Sequence, residues 1–456
     1  MEELWAAREF ANADFGDARR SARLVSIALT FSNKPAASIP EACSGWAETK
    51  AAYRLFSSDR VTPEKILASH RDATLQRIKG QSVILIAQDT TTLNFTTHHA
   101  AKGMGPIGKK GLRGFFMHSA LAVSTEGVPL GLLAAEFLVR QDKNPEGEKT
   151  RSKLPPEERE SFRWQRVLAA STQDLPPNVL AITVADREAD YYDFLAAAKH
   201  TDKPVLIRAK HDRRLAEEGN PHLQAKLLAS PSLGTITVQI PRSEERPSRT
   251  ATLEVRAMPA TFLPPRDPQH KALPALDMWA ISAREVSPVP EGDEAVEWLL
   301  LTSIAVVDLA QAQQCIVWYT YRWRIERFHF TLKSGCRVEK LELEERKRIE
   351  RALVALFCVI AWRLLSITYL ARMAPDQPCT TVLSPSEWQA LYCVINKTPV
   401  PPQNPPDLRT AVRWLARLGG FLGRRRDGDP GVKVLWRGFR DLQRITEMWE
   451  VLQHKT

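Results

Sequence analysis

Cysteine is scarce and unpatterned. The six residues Cys43, Cys315, Cys336, Cys358, Cys379 and Cys393 form no Cys-x-x-Cys pair and no zinc spacing. That argues against a disulfide framework or a zinc module, and predicts reduced thiols in a cytosolic chain. An apolar export segment is missing too: the opening MEELWAAREFANADFGD is acidic and polar, so no secretion is expected. Internal repeats and low-complexity tracts are absent, which removes solenoids and disordered arrays from consideration. Long apolar runs are nearly absent. One, ALVALFCVIAWRLLSITYL at 352–370, approaches the length of a membrane span. Arg363 lies near its middle and charged helices flank it, so it is predicted to be a buried helix of a soluble fold, with no membrane partner.

Negative charge is in deficit. Against 63 Lys and Arg stand 53 Asp and Glu, a net charge of +10 with a pI near 9.3. Such a surplus points towards a nucleic-acid partner, although ribosome-associated and membrane-surface proteins share it. The apolar share of 44% suffices for a packed core, and 456 residues suffice for two to four domains.

The order of patterns divides the chain. Residues 1–75 read as basic amphipathic helices, in REFANADFGDARRSARLVSIALTF, SGWAETKAAYRLFSS and TPEKILASHRDATLQRI, with Asp17 or Ser44 as local caps. Val83–Ala87 is a short apolar run, predicted as a buried strand ending at Asp89. MHSALAVS and VPLGLLAAEFLVR, joined by TEG, predict an antiparallel hairpin. The polar, proline-bearing stretch 142–161 predicts a loop, and WQRVLAAST a helix. NVLAITVA predicts a second buried strand that stops at Asp186. After VLIRAK, residues 230–305 alternate in strand fashion and read as a β-rich insertion. The remainder is mostly helical, broken by the proline-rich loop 397–406.

Asp89 and Asp186 each follow an apolar strand, where open α/β sheets place ligand-handling groups. Strand-end acids are also ordinary turn residues. A third acid changes the weight of the pair, because three carboxylates can hold two divalent cations about 4 Å apart for phosphodiester displacement. The segment YTYRWRIERFHFTLK supplies one in Glu326. On a continuous helix of about 100° per residue, Tyr319, Arg322, Glu326 and Lys333 fall within roughly 60° of arc. Arg and Lys suit phosphate, and Tyr can donate to it. An acid on a basic face can also be a simple intrahelical ion-pair partner.

The spacing Y-x2-R-x3-E-x6-K, together with GDARRSARLV, AAYRLF, DREAD, RAKH, WLLLTS, YTYRWRIERFH and ARLGGF in order along nearly the whole chain, resembles the YREK-signature DDE transposases of bacterial insertion sequences, the transposon-five group. The resemblance implies an α/β RNase-H-like catalytic core at 76–345 carrying the β-rich insertion at about 230–305. It implies an N-terminal helical DNA-end-binding domain at 1–75 and a C-terminal helical dimerisation domain at 346–456. It further implies Asp89, Asp186 and Glu326 as the catalytic metal-binding triad with two Mg2+ per site, for which Mn2+ would substitute.

The partners implied are double-stranded DNA (inverted-repeat transposon ends and target DNA) and a second copy of the chain, in the bacterial cytoplasm at the nucleoid. Members nick a transposon end, turn the freed 3′ hydroxyl on the opposite strand to make a hairpin, reopen it with water and join both ends to target DNA. By the same resemblance Tyr319, Arg322 and Lys333 hold phosphates and Trp298 receives a flipped base, although a strand-edge core tryptophan reads similarly. Arg208, Lys210 and His211 lie near DNA, and Arg23 and Arg54, helped by Arg19 and Arg20, contact the end. Glu188 and Asp190 support the second aspartate or act as caps. Lys34 aligns only loosely, the stretch from His99 departs from the family, and 397–406 has no counterpart there. A nuclease without strand transfer and a non-catalytic DNA-binding relative are the alternatives. Loss of an acid or of the basic N-terminus would mark the latter, and neither is lost.

Overall fold

The computed structural model describes residues 5–35, 37–43, 45–108, 111–142, 155–240, 248–267, 270, 273–341, 345–424 and 427–453. Its strands are β1 Val83–Asn94, β2 Gly105–Pro106, β3 Arg113–Ser124, β4 Pro129–Leu138, β5 Leu180–Ala185, β6 Val205–Arg208, β7 Gly234–Ile240, β8 Arg249–Phe262, β9 Leu276–Glu285 and β10 Glu297–Thr302. Two compact units form. One comprises residues 82–89 and 151–323, the other 1–81, 90–150 and 324–456.

The unit of 82–89 and 151–323 is built on a mixed sheet. The first half of β1 runs parallel to β5, and β5 parallel to β6. Ile84 to Gln88 and Ala181 to Ala185 are buried without alternation, as expected of parallel strands covered on both faces. The helices Arg163–Thr172 and Tyr192–His200 belong to this unit, and Trp164, Leu168, Phe194 and Leu195 join Ala185, Val205 and Ile207 in one core. Apolar burial of this kind contributes about 25 cal/mol per Å2.

The β-rich stretch 230–305 holds the four strands β7 to β10. β10 pairs antiparallel with β6, then β9, β8 and β7 follow antiparallel in turn, so these strands extend the central sheet. Alternation shows that a strand has one polar face but is silent about which strand it will pair with. One other expectation needs correcting: β1 does not stop at Asp89. It continues through Thr90, Thr91 and Thr92, β-branched residues suited to a pleated surface.

In the other unit β3 and β4 form the expected hairpin, and the amide of Phe95, just after β1, donates to the Arg113 carbonyl at 2.9 Å. The N-terminal helices are Trp5–Phe10, Ala18–Asn33, Trp46–Ser57 and Pro63–Ile78. Asp17 caps the second, its carboxylate accepting from the Arg19 amide at 3.0 Å. Ser44 lies outside the described residues, and Gly45 occupies the cap position of the third helix. Glu9 ties three segments together. His70 Nδ1 lies 2.6 Å from Glu9 Oε2, Arg77 Nη1 donates to Glu9 Oε1 at 2.6 Å, and the Leu132 amide donates to His70 Nε2 at 3.0 Å. With Nε2 accepting, Nδ1 must carry the proton given to Glu9.

The apolar run predicted as a buried helix is one, within the helical span Arg346–Met373. Arg363 is buried between the rings of Trp5 and Phe439, 4.9 and 5.1 Å from their centroids, and donates to the Val382 carbonyl at 3.1 Å. The later helices are Pro385–Asn396, Leu408–Leu418 and Val432–Gln453, with no helix over 397–406. Most of the predicted loop 142–161 lies outside the described residues, and 156–158 and 160–162 are single 3-10 turns.

Candidate active site and nucleic-acid interface

The parallel register decides where the first two acids go. Ala87 pairs with Val184. Two residues further along each chain stand Asp89 and Asp186, on the same face as that pair because side chains alternate with period two. Adjacent strands lie about 4.8 Å apart, so the sheet presents two half-buried carboxylates side by side. Asp186 is held by the turn it opens. One of its oxygens accepts from the Glu188 amide at 2.8 Å, capping the 3-10 turn Arg187–Ala189. The pair is hard oxygen chemistry, suited to a divalent cation such as Mg2+. Among the described residues, no set of three or more His, Cys, Asp and Glu side chains is gathered as a metal-binding group.

Beside the acids the same unit gathers cations and rings. Tyr319 is buried, its ring edge-on to Trp298 with centroids 6.0 Å apart. The Arg322 guanidinium lies 5.8 Å from the Tyr319 ring and 4.9 Å from the Trp323 ring. Burial pushes the Tyr319 phenol up, against the pull of Arg322 and Arg208, so it stays a protonated hydrogen-bond donor. Burial pulls Arg208 down despite Tyr319, and the neighbouring cations Arg187 and Arg322 add to that. Arg208 also donates to the Glu297 carbonyl at 3.0 Å. Trp298 is half-buried on β10 opposite Ala283, so one side of its ring packs while the rest remains reachable.

Asp190 has a different task from Asp186. It is buried, pairs with the buried Arg213, and accepts from the amides of Lys210 and His211 at 2.6 and 2.9 Å. It fixes the backbone of the segment whose Lys210 and His211 side chains are exposed. Glu188 is exposed and paired with Arg163 at 3.1 Å. Sequence reading missed Arg163 and Arg213. Each is a cation distant in sequence from its partner, and nothing local marks the pairing.

The helix predicted to run through Tyr319, Arg322, Glu326 and Lys333 is interrupted, which is a further correction. One helix, Leu309–Thr320, ends just past Tyr319. The amides of Tyr321 and Arg322 then reach carbonyls only three residues back, at 3.0 and 3.1 Å. A second helix, Trp323–Phe330, carries Glu326, and a π-turn over Thr331–Gly335 carries Lys333. Aromatic and β-branched residues form helix weakly, and the run from Trp318 to Trp323 is rich in them. Regular angular spacing therefore holds only inside each piece. Tyr319 and Arg322 belong to the unit of the aspartates, whereas Glu326 and Lys333 belong to the other. There, His329, on the helix of Glu326, is buried with its Nε2 2.8 Å from Ser119 Oγ on β3. Burial, reinforced by Lys333, pushes its imidazole down to about 3, so it is neutral.

In the N-terminal segment Arg23 and Arg54 are exposed. Arg19 pairs with the capping Asp17 at 3.1 Å, and Arg20 donates to the Phe15 carbonyl at 3.1 Å. Lys34 donates to the Glu41 carbonyl at 3.3 Å. The first two are thus placed to meet a ligand, while the second two also hold the turn at 15–17.

Three family models match the chain. They are described as Transposase DNA-binding, over residues 2–61, Transposase DDE domain, over 164–362, and Transposase Tn5 dimerisation domain, over 359–451.

Proposed function

Because the chain belongs to the Tn5-like DDE transposases, we propose that it moves a transposon by cut-and-paste, through nicking, hairpin formation, hairpin opening and strand transfer at the element's ends. It is a DNA-cleaving and strand-transferring enzyme that binds DNA and assembles as a homodimer, and its catalytic domain is of a kind that uses divalent metal ions. The finer reading assigns that role to Mg2+, with Mn2+ able to replace it, held by Asp89, Asp186 and Glu326 in a bacterial cytoplasm. The domain limits that go with it fall near residues 75 and 345. When bound, such ions activate the attacking oxygen and stabilise the leaving one.

The remaining work falls to the chain itself. Tyr319 as a neutral donor, with Arg322, Arg208 and Lys333 as cations, would hold the phosphates flanking the scissile bond in line. Lys210 and His211, on the backbone that Asp190 fixes, would extend that grip. Trp298 would take the base that leaves the stack when the end bends into a hairpin. Arg23 and Arg54, helped by Arg19 and Arg20, would neutralise phosphates of the bound end.

The observation that supports this reading is the parallel Ala87–Val184 pairing, two residues short of Asp89 and Asp186, in the unit that also holds the Tyr319, Arg322 and Trp298 group. The test is incubation of the purified protein with the inverted repeats flanking its gene and Mg2+, followed by denaturing electrophoresis. Hairpin-ended products are expected. Linear cleavage products without hairpins would leave a nuclease, and no Mg2+-dependent product at all would remove the catalytic assignment.

A further inference from the structure

The most exposed aromatic residue in the molecule has no task in the reading above. Trp46 begins the Trp46–Ser57 helix and is 78% exposed. A lone surface apolar side chain is ordinary, but an indole this bare at a helix tip, inside a basic face, is not explained by packing. Lys50 and Arg54 follow at intervals of four, and both are exposed. At about 100° per residue the three lie within roughly 80° of arc. The opposite face buries Thr49, Ala52, Leu55 and Phe56, so the helix cannot rotate to hide Trp46 without exposing its core side. This helix packs on Ala18–Asn33, which carries the exposed Arg23.

We propose that Trp46 contacts the bases of the transposon end, its indole set against a base step of the duplex while Lys50 and Arg54 hold the adjacent phosphates. This rests on residues 2–61 being the module that holds the end. The occupant follows from the charge: two cations in line with one large ring match a polyanion with stacked aromatic bases. Phosphate contacts fix register without reading sequence, whereas a ring wedged at a step responds to how readily that step opens. Trp46 would thus add specificity to a surface whose cations add only affinity.

The experiment uses the full chain with a labelled inverted-repeat duplex and a scrambled duplex of equal length, at one salt concentration. Trp46→Ala should weaken binding to the end duplex about tenfold, within the range for losing one aromatic contact to a base. Binding to the scrambled duplex should change less than about twofold. Trp46→Phe should recover most of the affinity, while removing much of the intrinsic fluorescence quenching that the end duplex causes in the wild type. Unaltered end binding by Trp46→Ala, equal losses on both duplexes, or full quenching in Trp46→Phe would each overturn the proposal. Arg23→Ala combined with Arg54→Ala separates the two levels. If that variant loses binding and Trp46→Ala does not, only Trp46 falls; if the wild type binds neither duplex, the reading of the module falls with it.

Discussion

Asp186 and Asp190 stand in one short turn and do unlike work. Asp186 is half-buried with its carboxylate at the sheet end, and its removal costs one cap interaction. Asp190 is buried and neutralises the buried Arg213 while accepting two backbone amides. Asp190→Ala would strand a guanidinium in the core, and is expected to cost about 3–5 kcal/mol of stability by urea denaturation. Asp186→Ala should shift stability by about 1 kcal/mol and, like Asp89→Ala and Glu326→Ala, bind transposon ends yet fail to nick them. Robust cleavage by any of those three would remove that acid from the site. The DREAD motif shows its acids in the sequence, but not which faces solvent and which faces an arginine.

At the scale of elements, the N-terminal helices are tied in by Glu9. Burial alone would raise this carboxyl, yet the hydrogen bond and charge of His70 and the fork of Arg77 bring it down to about 2. His70 is pushed down by its own burial, against the pull of Glu9. Both signs agree. The unfolded chain takes up a proton on His70 as pH falls below the ordinary 6.5, and on Glu9 below the ordinary 4.5, before the folded chain does. Unfolding free energy should therefore drop from pH 7 downwards, and the loss owed to Glu9 should run from about pH 5 towards 2. Urea titrations across that range should show a shallower fall in Glu9→Gln below pH 5; parallel curves would remove Glu9 as the cause. A second element-scale test concerns Leu408–Leu418 and Val432–Gln453. A Cβ on Gly438 would meet the Leu415 carbonyl oxygen at 2.0 Å. Gly438→Ala should force these helices apart at a cost of about 1–3 kcal/mol, and, because they lie in the dimerisation region, lower the dimer fraction in sedimentation.

For the whole molecule, charge governs the encounter with DNA. A chain of net charge +10 that grips phosphates releases counterions as it binds. End binding is therefore expected to fall by about 10^3 or more between 50 and 200 mM salt, if at least six phosphates are held. Equilibrium titration across that range checks it. A flat response would take the exposed arginines Arg23 and Arg54 out of the interface.

Several things about this protein were settled by the order of residues alone. The hairpin of β3 and β4, the continuously buried runs 84–88 of β1 and 181–185 of β5, the cap at Asp17 and the basic surplus are local or additive, so they could be read directly. The family resemblance likewise marked Asp89, Asp186, Glu326, Tyr319, Arg322 and Lys333 as candidates before any geometry. Only the tertiary structure decided that β7 to β10 extend the central sheet, that the helix after Tyr319 breaks, and that Asp190 serves Arg213. Strand partners and ion pairs are chosen by contacts between residues far apart in the chain. Periodicity and spacing carry no record of those contacts, because they describe each segment against its own axis.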